Sequence, residues 1–269
     1  TPSSRSPSAT TPLPRKLSPI CVRSDAQQYG KTGTVYSTDM ERYQRQTIIE
    51  EFGEAGQQKL LTSSALIVGL GGLGAPVASY LVSSGVGRIG LCDPDTVSLT
   101  NLQRQILYTE RDIGRPKTAC ARERLLAMSS ATVIDVIDAG LTPANAPSLI
   151  AGYDIVMDCT DNFATRMLID RECARHGRPW VHGSIDGLYG CVTVFNHRNC
   201  RRYTDLYPDA DNFAPRPGRM IGTLGPVPGI VGSIQALEAI KVLTGCGECL
   251  DGRLLMFELD KMSFTTIDF

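Results

Sequence analysis

From about residue 40 onward, short wholly apolar runs alternate with segments whose apolar residues recur at helical spacing. Residues 65–69 read as a buried strand, 74–84 as a helix, 88–93 as a strand and 116–127 as a helix. The same pattern returns as a strand at 132–137, a short helix at 144–150, a strand at 154–158 and a helix at 162–176. Strands that are apolar throughout must be covered on both faces, so this alternation predicts a parallel, doubly wound α/β sheet. After about residue 178 the rhythm changes to strands without intervening helices, at 180–184 and 190–196. A polar loop follows, then a helix at 231–244 and two alternating strands at 254–259 and 263–267, expected as an antiparallel pair that closes the sheet. No internal repeat is visible.

The chain before residue 40 has another character. Residues 1–20 hold thirteen Ser, Thr or Pro, no acid, and the basic residues Arg5, Arg15 and Lys16. Residues 1–39 are therefore expected as a disordered tail and 40–269 as the folded domain. Five prolines in the tail oppose the amphipathic helix of a transit peptide. Over all 269 residues the formal charge is −1, with 42% hydrophobic and 20% charged residues. That excludes a disordered chain, and it argues against a DNA binder held by bulk charge. Apolar stretches are broken by glycines before the roughly 20 residues a membrane span needs, so no membrane is expected. Nine cysteines, an odd set lying mostly in apolar segments, suit free thiols in a reducing, cytoplasmic setting better than a disulfide framework.

Gly69, Gly71 and Gly74 have the G-x-G-x-x-G spacing between the first strand and its helix. Absent side chains permit a tight turn and let a phosphate approach backbone N–H groups at the helix's positive end. The fold class is thus a Rossmann-like doubly wound, mostly parallel sheet extended by antiparallel strands. A bland reading uses the glycines only to pack helix on sheet. Asp93, 19 residues after Gly74, either accepts hydrogen bonds from ribose hydroxyls or is a turn residue of Asp93-Pro94-Asp95. The motif suits an adenosine ligand without choosing NAD or ATP.

Cations decide between those two. A dinucleotide needs few, whereas a triphosphate calls for Arg and Lys donors that neutralise it and stabilise departing pyrophosphate. The segment Asn101-Leu102-Gln103-Arg104-Gln105 and Lys117 after Gly114-Arg115-Pro116 supply them, which favours ATP. Lys117 could equally be a solvated residue in the first turn of its helix. Asp161, in Cys159-Thr160-Asp161-Asn162, lies at the carboxyl edge of the sheet. It either holds magnesium, which takes one or two carboxylates plus phosphate oxygens, or caps the helix that follows.

Together with Arg42-Tyr43-Gln44-Arg45-Gln46 and the helix around Gly232 to Lys241, these motifs resemble the ThiF/MoeB/HesA family, bacterial relatives of ubiquitin-activating enzymes, over residues 42–259. The resemblance implies a homodimeric nucleotidyltransferase that uses ATP and magnesium to adenylate the C-terminal glycine of a small β-grasp sulfur carrier of the ThiS or MoaD type. Thiamine or molybdenum-cofactor biosynthesis would be served, with thiamine the first choice. By position, Gly69, Gly71 and Gly74 would surround the nucleotide and Asp93 would bind ribose. Asn101, Arg104, Gln105 and Lys117 would contact phosphates, Asp161 would hold magnesium, and Arg45 would reach the neighbouring subunit's site.

Two departures from the family pattern matter. Relatives carry two CxxC pairs for a structural zinc, where this chain has Cys200-Arg201-Arg202-Tyr203 and ends without the second pair, so zinc is expected to be absent. Cys246-Gly247-Glu248-Cys249 falls elsewhere and reads as incidental. In the 205–222 loop, Gly218 stands where several relatives have a cysteine for a covalent carrier link, with Cys200 the nearest substitute; Asp205, Asp209, Asp211, Arg216 and Arg219 read as a solvated flap. The alternatives are a tRNA threonylcarbamoyladenosine dehydratase, opposed by GGLGA and LQRQ here where GGVGS and NRQ are usual, and a non-catalytic nucleotide-binding interaction module.

Overall fold

The structure, a computed structural model, describes residues 38–209 and 222–269. Residues 1–37 of the expected disordered tail, Cys21 among them, and the loop residues Asp211, Arg216, Gly218 and Arg219 lie outside them, whereas the last two tail residues, Thr38 and Asp39, are helical. Two short helical turns, α1 (Thr38–Glu41) and α2 (Gln44–Thr47), lead into α3 (Gly53–Thr62). Then come β1 (Ser64–Val68), α4 (Gly74–Ser83), β2 (Arg88–Cys92), α5 (Lys117–Met128) and β3 (Val133–Ile137). They are followed by α6 (Ala146–Ala151), β4 (Ile155–Asp158), α7 (Phe163–His176), β5 (Trp180–Asp186) and β6 (Tyr189–Phe195). The chain continues through α8 (Tyr203–Leu206), α9 (Pro226–Thr244), β7 (Arg253–Glu258) and β8 (Ser263–Asp268).

The eight strands form one sheet in the order β3-β2-β1-β4-β5-β6-β7-β8. β3, β2, β1, β4 and β5 pair in parallel, and β6, β7 and β8 add antiparallel. This is the doubly wound sheet with an antiparallel extension. Along β1, Ala65 and Ile67 enter a core beneath α4, α5 and α9, while Leu66 and Val68 enter a second core with α6 and α7. Burial on both faces explains why these strands carry no polar alternation. The direction of winding reverses between β1 and β4, and in such sheets that crevice at the carboxyl ends receives ligands.

One expectation shifts. α9 begins at Pro226, five residues before the predicted start at 231, because Pro226 and Pro228 occupy its first turn, where a fixed φ and a missing N–H suit a helix. Nor do Gly229 and Gly232 interrupt it: α9 is a continuous 19-residue helix, long and apolar enough by length and composition to cross a membrane. Half of that stretch is buried inside the fold, against α4, β5 and β6. Glycine 232 is there to pack, since a Cβ would lie 2.6 Å from the Leu73 carbonyl oxygen.

Candidate active site

Val68 and Asp158 pair in register at the ends of β1 and β4, so the segments after them leave the sheet side by side. Gly69 has φ +94°, and a Cβ there would lie 2.6 Å from the Cys159 carbonyl oxygen; a Cβ on Gly74 would lie 2.0 Å from the Gly69 carbonyl oxygen. Packing accounts for both glycines. Gly71 is different: its would-be Cβ meets only Gln105 Nε2, at 3.7 Å. The backbone there borders open space at the N-terminus of α4, where N–H groups favour an anion.

Leu70 is gripped from two directions. Its N–H donates to Asp93 Oδ2 at 2.6 Å, and its carbonyl accepts from the Tyr108 hydroxyl at 2.9 Å. Burial pushes the Tyr108 phenol far above its ordinary range, with Asp93 adding to it, so Tyr108 remains a donor. Asp93 is buried just beyond β2, and its Oδ1 accepts from Asp95 N–H at 2.8 Å. It is therefore the turn residue of Asp93-Pro94-Asp95 and also the support of the glycine turn; each carboxylate oxygen keeps a further lone pair for a hydroxyl donor.

Lys117 opens α5 and is only 5% exposed, with Nζ 2.8 Å from Asp95 Oδ2 and 4.0 Å from Asp93 Oδ1. Burial overturns the reading of a solvated first-turn lysine. An ammonium so placed is held by carboxylates at the mouth of the crevice. Asn101 closes a short 3-10 turn by accepting from Ser98 N–H at 3.1 Å. Arg104 Nη1 donates to the Thr100 carbonyl at 2.9 Å, and its Cγ lies 3.5 Å from the would-be Cβ of Gly72. Gln105 is buried, its amide faces Gly71, and its Oε1 has no hydrogen-bond partner among the described residues. An orphaned buried acceptor beside a glycine cradle is what a hydrogen-bonding ligand would complete.

Asp161 is exposed and does not cap α7, which overturns that reading. Asn162 is the cap, accepting from Thr165 N–H at 2.9 Å. The structure does not bring Arg45 to its own chain's crevice. Gln46, next to it on α2, donates to the Ser84 carbonyl at 3.1 Å, and Tyr43 packs on Gly85, both at the end of α4 opposite the glycine turn. Ten residues of helix separate those ends by roughly 15 Å. Asp205 serves the short helix α8, accepting from Arg202 N–H at 2.8 Å, rather than a flap.

Sequence reasoning missed a buried polar network under the crevice. Asp158 and His182 pair in register on β4 and β5, and His182 Nδ1 lies 2.7 Å from Asp158 Oδ2. Asp158 also accepts from Thr160 N–H at 3.1 Å and from the Thr160 hydroxyl at 2.6 Å, and Arg166 Nε lies 3.5 Å away. Burial pushes the Asp158 carboxyl up, but His182 and Arg166 outweigh it and hold it below its ordinary range. The signal was a charged residue at one apolar strand's end and a histidine inside another, legible once the strand order is known.

Residues 43–269 match the ThiF family. The chain belongs to this family. It is 43% identical over 235 residues to adenylyltransferase and sulfurtransferase MOCS3 of Drosophila persimilis, which covers 85% of this chain and 51% of that protein. To the sulfur carrier protein adenylyltransferase of Thermus thermophilus it is 39% identical over 236 residues, 84% of this chain and 86% of that protein. Against the crystal structure of PaaA the TM-score is 0.74 at 22% identity, over 90% of this chain and 77% of that one, a likeness of fold. This ThiF-family chain spans about half the length of the MOCS3 proteins it matches. Among its described residues, no group of three or more His, Cys, Asp or Glu could hold a metal. A lone carboxylate such as Asp161 suits a hard cation completed by phosphate oxygens.

Proposed function

We propose that this chain adenylates the C-terminal glycine of a small β-grasp sulfur carrier, of the ThiS or MoaD type, with ATP and magnesium, for thiamine or molybdenum-cofactor biosynthesis. The observation that carries this reading is the cradle itself: Gly71 has room beside it, Gln105 turns its amide nitrogen, a donor, toward that space, and the buried Lys117 ammonium stands nearby. A glycine turn at a helix N-terminus, with Arg104 and Lys117 beside it, suits a triphosphate better than a nicotinamide dinucleotide.

A carrier carboxylate is already a nucleophile and needs no activating base. This chain's residues would hold it in line with the α-phosphate, and positioning supplies roughly 7–11 kcal/mol of a barrier in favourable cases. Arg104 and Lys117 would stabilise charge on the departing pyrophosphate, and Asp93 would fix the ribose. Asp161 would hold the magnesium, which neutralises phosphate charge. A homodimer is part of the proposal. Tyr80, Ile106 and Leu237 are each more than half exposed around an open apolar depression between α4 and α9, and Arg45 lies away from its own crevice. The described cysteines are all free thiols, which supports a reducing, cytoplasmic setting.

ATP–pyrophosphate exchange by the full chain tests the reading. Exchange is expected only with a ThiS-type or MoaD-type carrier present, and Asp161→Ala is expected to abolish it with the circular dichroism unchanged. If neither carrier supports exchange or yields an acyl-adenylate mass, the proposal fails.

A further inference from the structure

The polar network under the crevice continues past Asp158 and His182 to a sulfur atom. Cys191 lies opposite Ser184 in the β5–β6 ladder and opposite Met256 in the β6–β7 ladder, and His182 is its diagonal neighbour on β5. All four side chains therefore project from one face of the sheet. The Cys191 sulfur lies 3.2 Å from Ser184 Oγ. With Nδ1 held by Asp158, the free corner of the fully buried His182 ring is Nε2, which has no hydrogen-bond partner of ordinary geometry among the described residues. An unpartnered buried ring nitrogen next to a thiol is placed to share its proton. Tyr189, two residues before Cys191 on the same face, and Met256 across the ladder are both exposed, so solvent reaches the half-buried thiol from that side.

The groups that face this thiol come from several elements. They are His182 and Ser184 on β5, Asp158 on β4 behind the ring, Arg166 on α7 and Tyr207 just after α8. On β7 the neighbour is the uncharged Met256, and α9 covers the other face of β6, where Gly190 meets Val231. Burial pushes the Cys191 thiol up, but the His182 ring, Ser184 and the Arg166 charge outweigh it and hold it below its ordinary range. Other cysteines lack this balance. Burial and the Asp93 charge push the Cys92 thiol up to about 12, and burial pushes the Cys159 and Cys173 thiols well up. Cys200 is exposed, and its sulfur faces the His197 carbonyl 3.5 Å away, an acceptor instead of a base.

We propose that Cys191 is an oxidative modification site of this chain, at which a small hydroperoxide is reduced and the cysteine becomes a sulfenic acid. In the step, a bond forms between Cys191 Sγ and the distal peroxide oxygen, and the O–O bond breaks. The leaving oxygen departs with that electron pair as hydroxide or alkoxide. It takes up the proton that the thiol has passed to His182 Nε2, so water or an alcohol is released. Sulfur is oxidised by two electrons and the peroxide reduced by two. Ser184 Oγ is placed to donate to the leaving oxygen, and Asp158 acts as a positioning residue that orients the ring and stabilises its charged form. Neither ladder neighbour of Cys191 is a thiol, so the sulfenic acid is resolved from outside. One low-molecular-weight thiol condenses with it, releasing water and leaving a mixed disulfide; a second displaces Cys191 from that disulfide and restores the thiol. This reaction does not depend on adenylation.

Hydrogen peroxide together with dimedone, which traps sulfenic acids, tests the assignment on the full chain, with adducts mapped by peptide mass. At neutral pH the adduct is expected on Cys191 at least about tenfold faster than on Cys200, and Cys191→Ser is expected to remove it. His182→Gln is expected to slow the Cys191 adduct about tenfold and to move its pH midpoint upward, while the rate at Cys200 stays as it was. Should that variant fail to fold, the ratio of the two cysteines in the wild-type chain decides alone. Oxidation of Cys200 as fast as Cys191 overturns the proposal, and so does a Cys191 rate indifferent to His182→Gln in a folded chain. A chain that oxidises at Cys191 as expected yet shows no carrier-dependent exchange would remove the adenylation reading and leave this site standing.

Discussion

Gly71 and Gly74 stand three residues apart in one turn, and a methyl group has opposite consequences at the two. At Gly74 it would sit 2.0 Å from a backbone oxygen that cannot move without opening the turn. Gly74→Ala is expected to destabilise the fold by roughly 3 kcal/mol or more, read as a fall in thermal midpoint. At Gly71 the nearest atom is the end of a glutamine, 3.7 Å away, and φ is not positive. Gly71→Ala should melt within about 1 kcal/mol of wild type while weakening exchange at least tenfold, because the methyl intrudes where phosphate would lie. A large loss of stability at Gly71, or none at Gly74, would contradict this division. The sequence motif shows three glycines as equals; only the packed turn distinguishes the two that shape it from the one that borders the crevice. Lys117 shows the same limit, since its burial depends on Asp93 and Asp95 folding around it.

At the level of elements, β4 and β5 are joined by more than their ladder. His182 has its pKa raised from an ordinary 6.5, chiefly by Asp158 against desolvation, so its contribution is fully present below 6.5 and fades as pH rises through the higher folded value. Asp158 has its pKa lowered from 3.8 by His182 and Arg166, so its contribution is present above 3.8 and fades as pH falls through the lower folded value. Both operate together between those two ordinary values. Thermal melts are expected to show His182→Gln losing most relative to wild type in that window and progressively less on the alkaline side; a difference independent of pH would contradict it. Most of these elements were legible beforehand, because strands buried on both faces carry unbroken apolar runs. The start of α9 was not, since proline reads as a breaker unless it falls in a helix's first turn. Nor was the polar network, because Gln235, whose Nε2 donates to the Asp158 carbonyl at 2.8 Å, and Gly183, which makes room for it, belong to distant parts of the chain.

Over the whole molecule, the distance of Arg45 from its own crevice sets a test of assembly. In a two-fold dimer each site would combine Asp161 of one subunit with Arg45 of the other. Mixing inactive Arg45→Ala and Asp161→Ala chains and allowing exchange of subunits is then expected to restore about a quarter of wild-type exchange activity, since half the dimers are mixed and each has one complete site. No recovery, with mixed dimers demonstrated by mass, would place Arg45 outside the neighbour's site.

The double grip on Leu70, from Asp93 below and Tyr108 beside it, bears on how a guest is admitted. A turn already immobilised gives up little configurational freedom when it is filled, so the entropy lost on association falls on the incoming molecule. Selectivity at such a rim is then decided by shape and charge at first encounter, with no closing movement of the glycine turn needed to complete it.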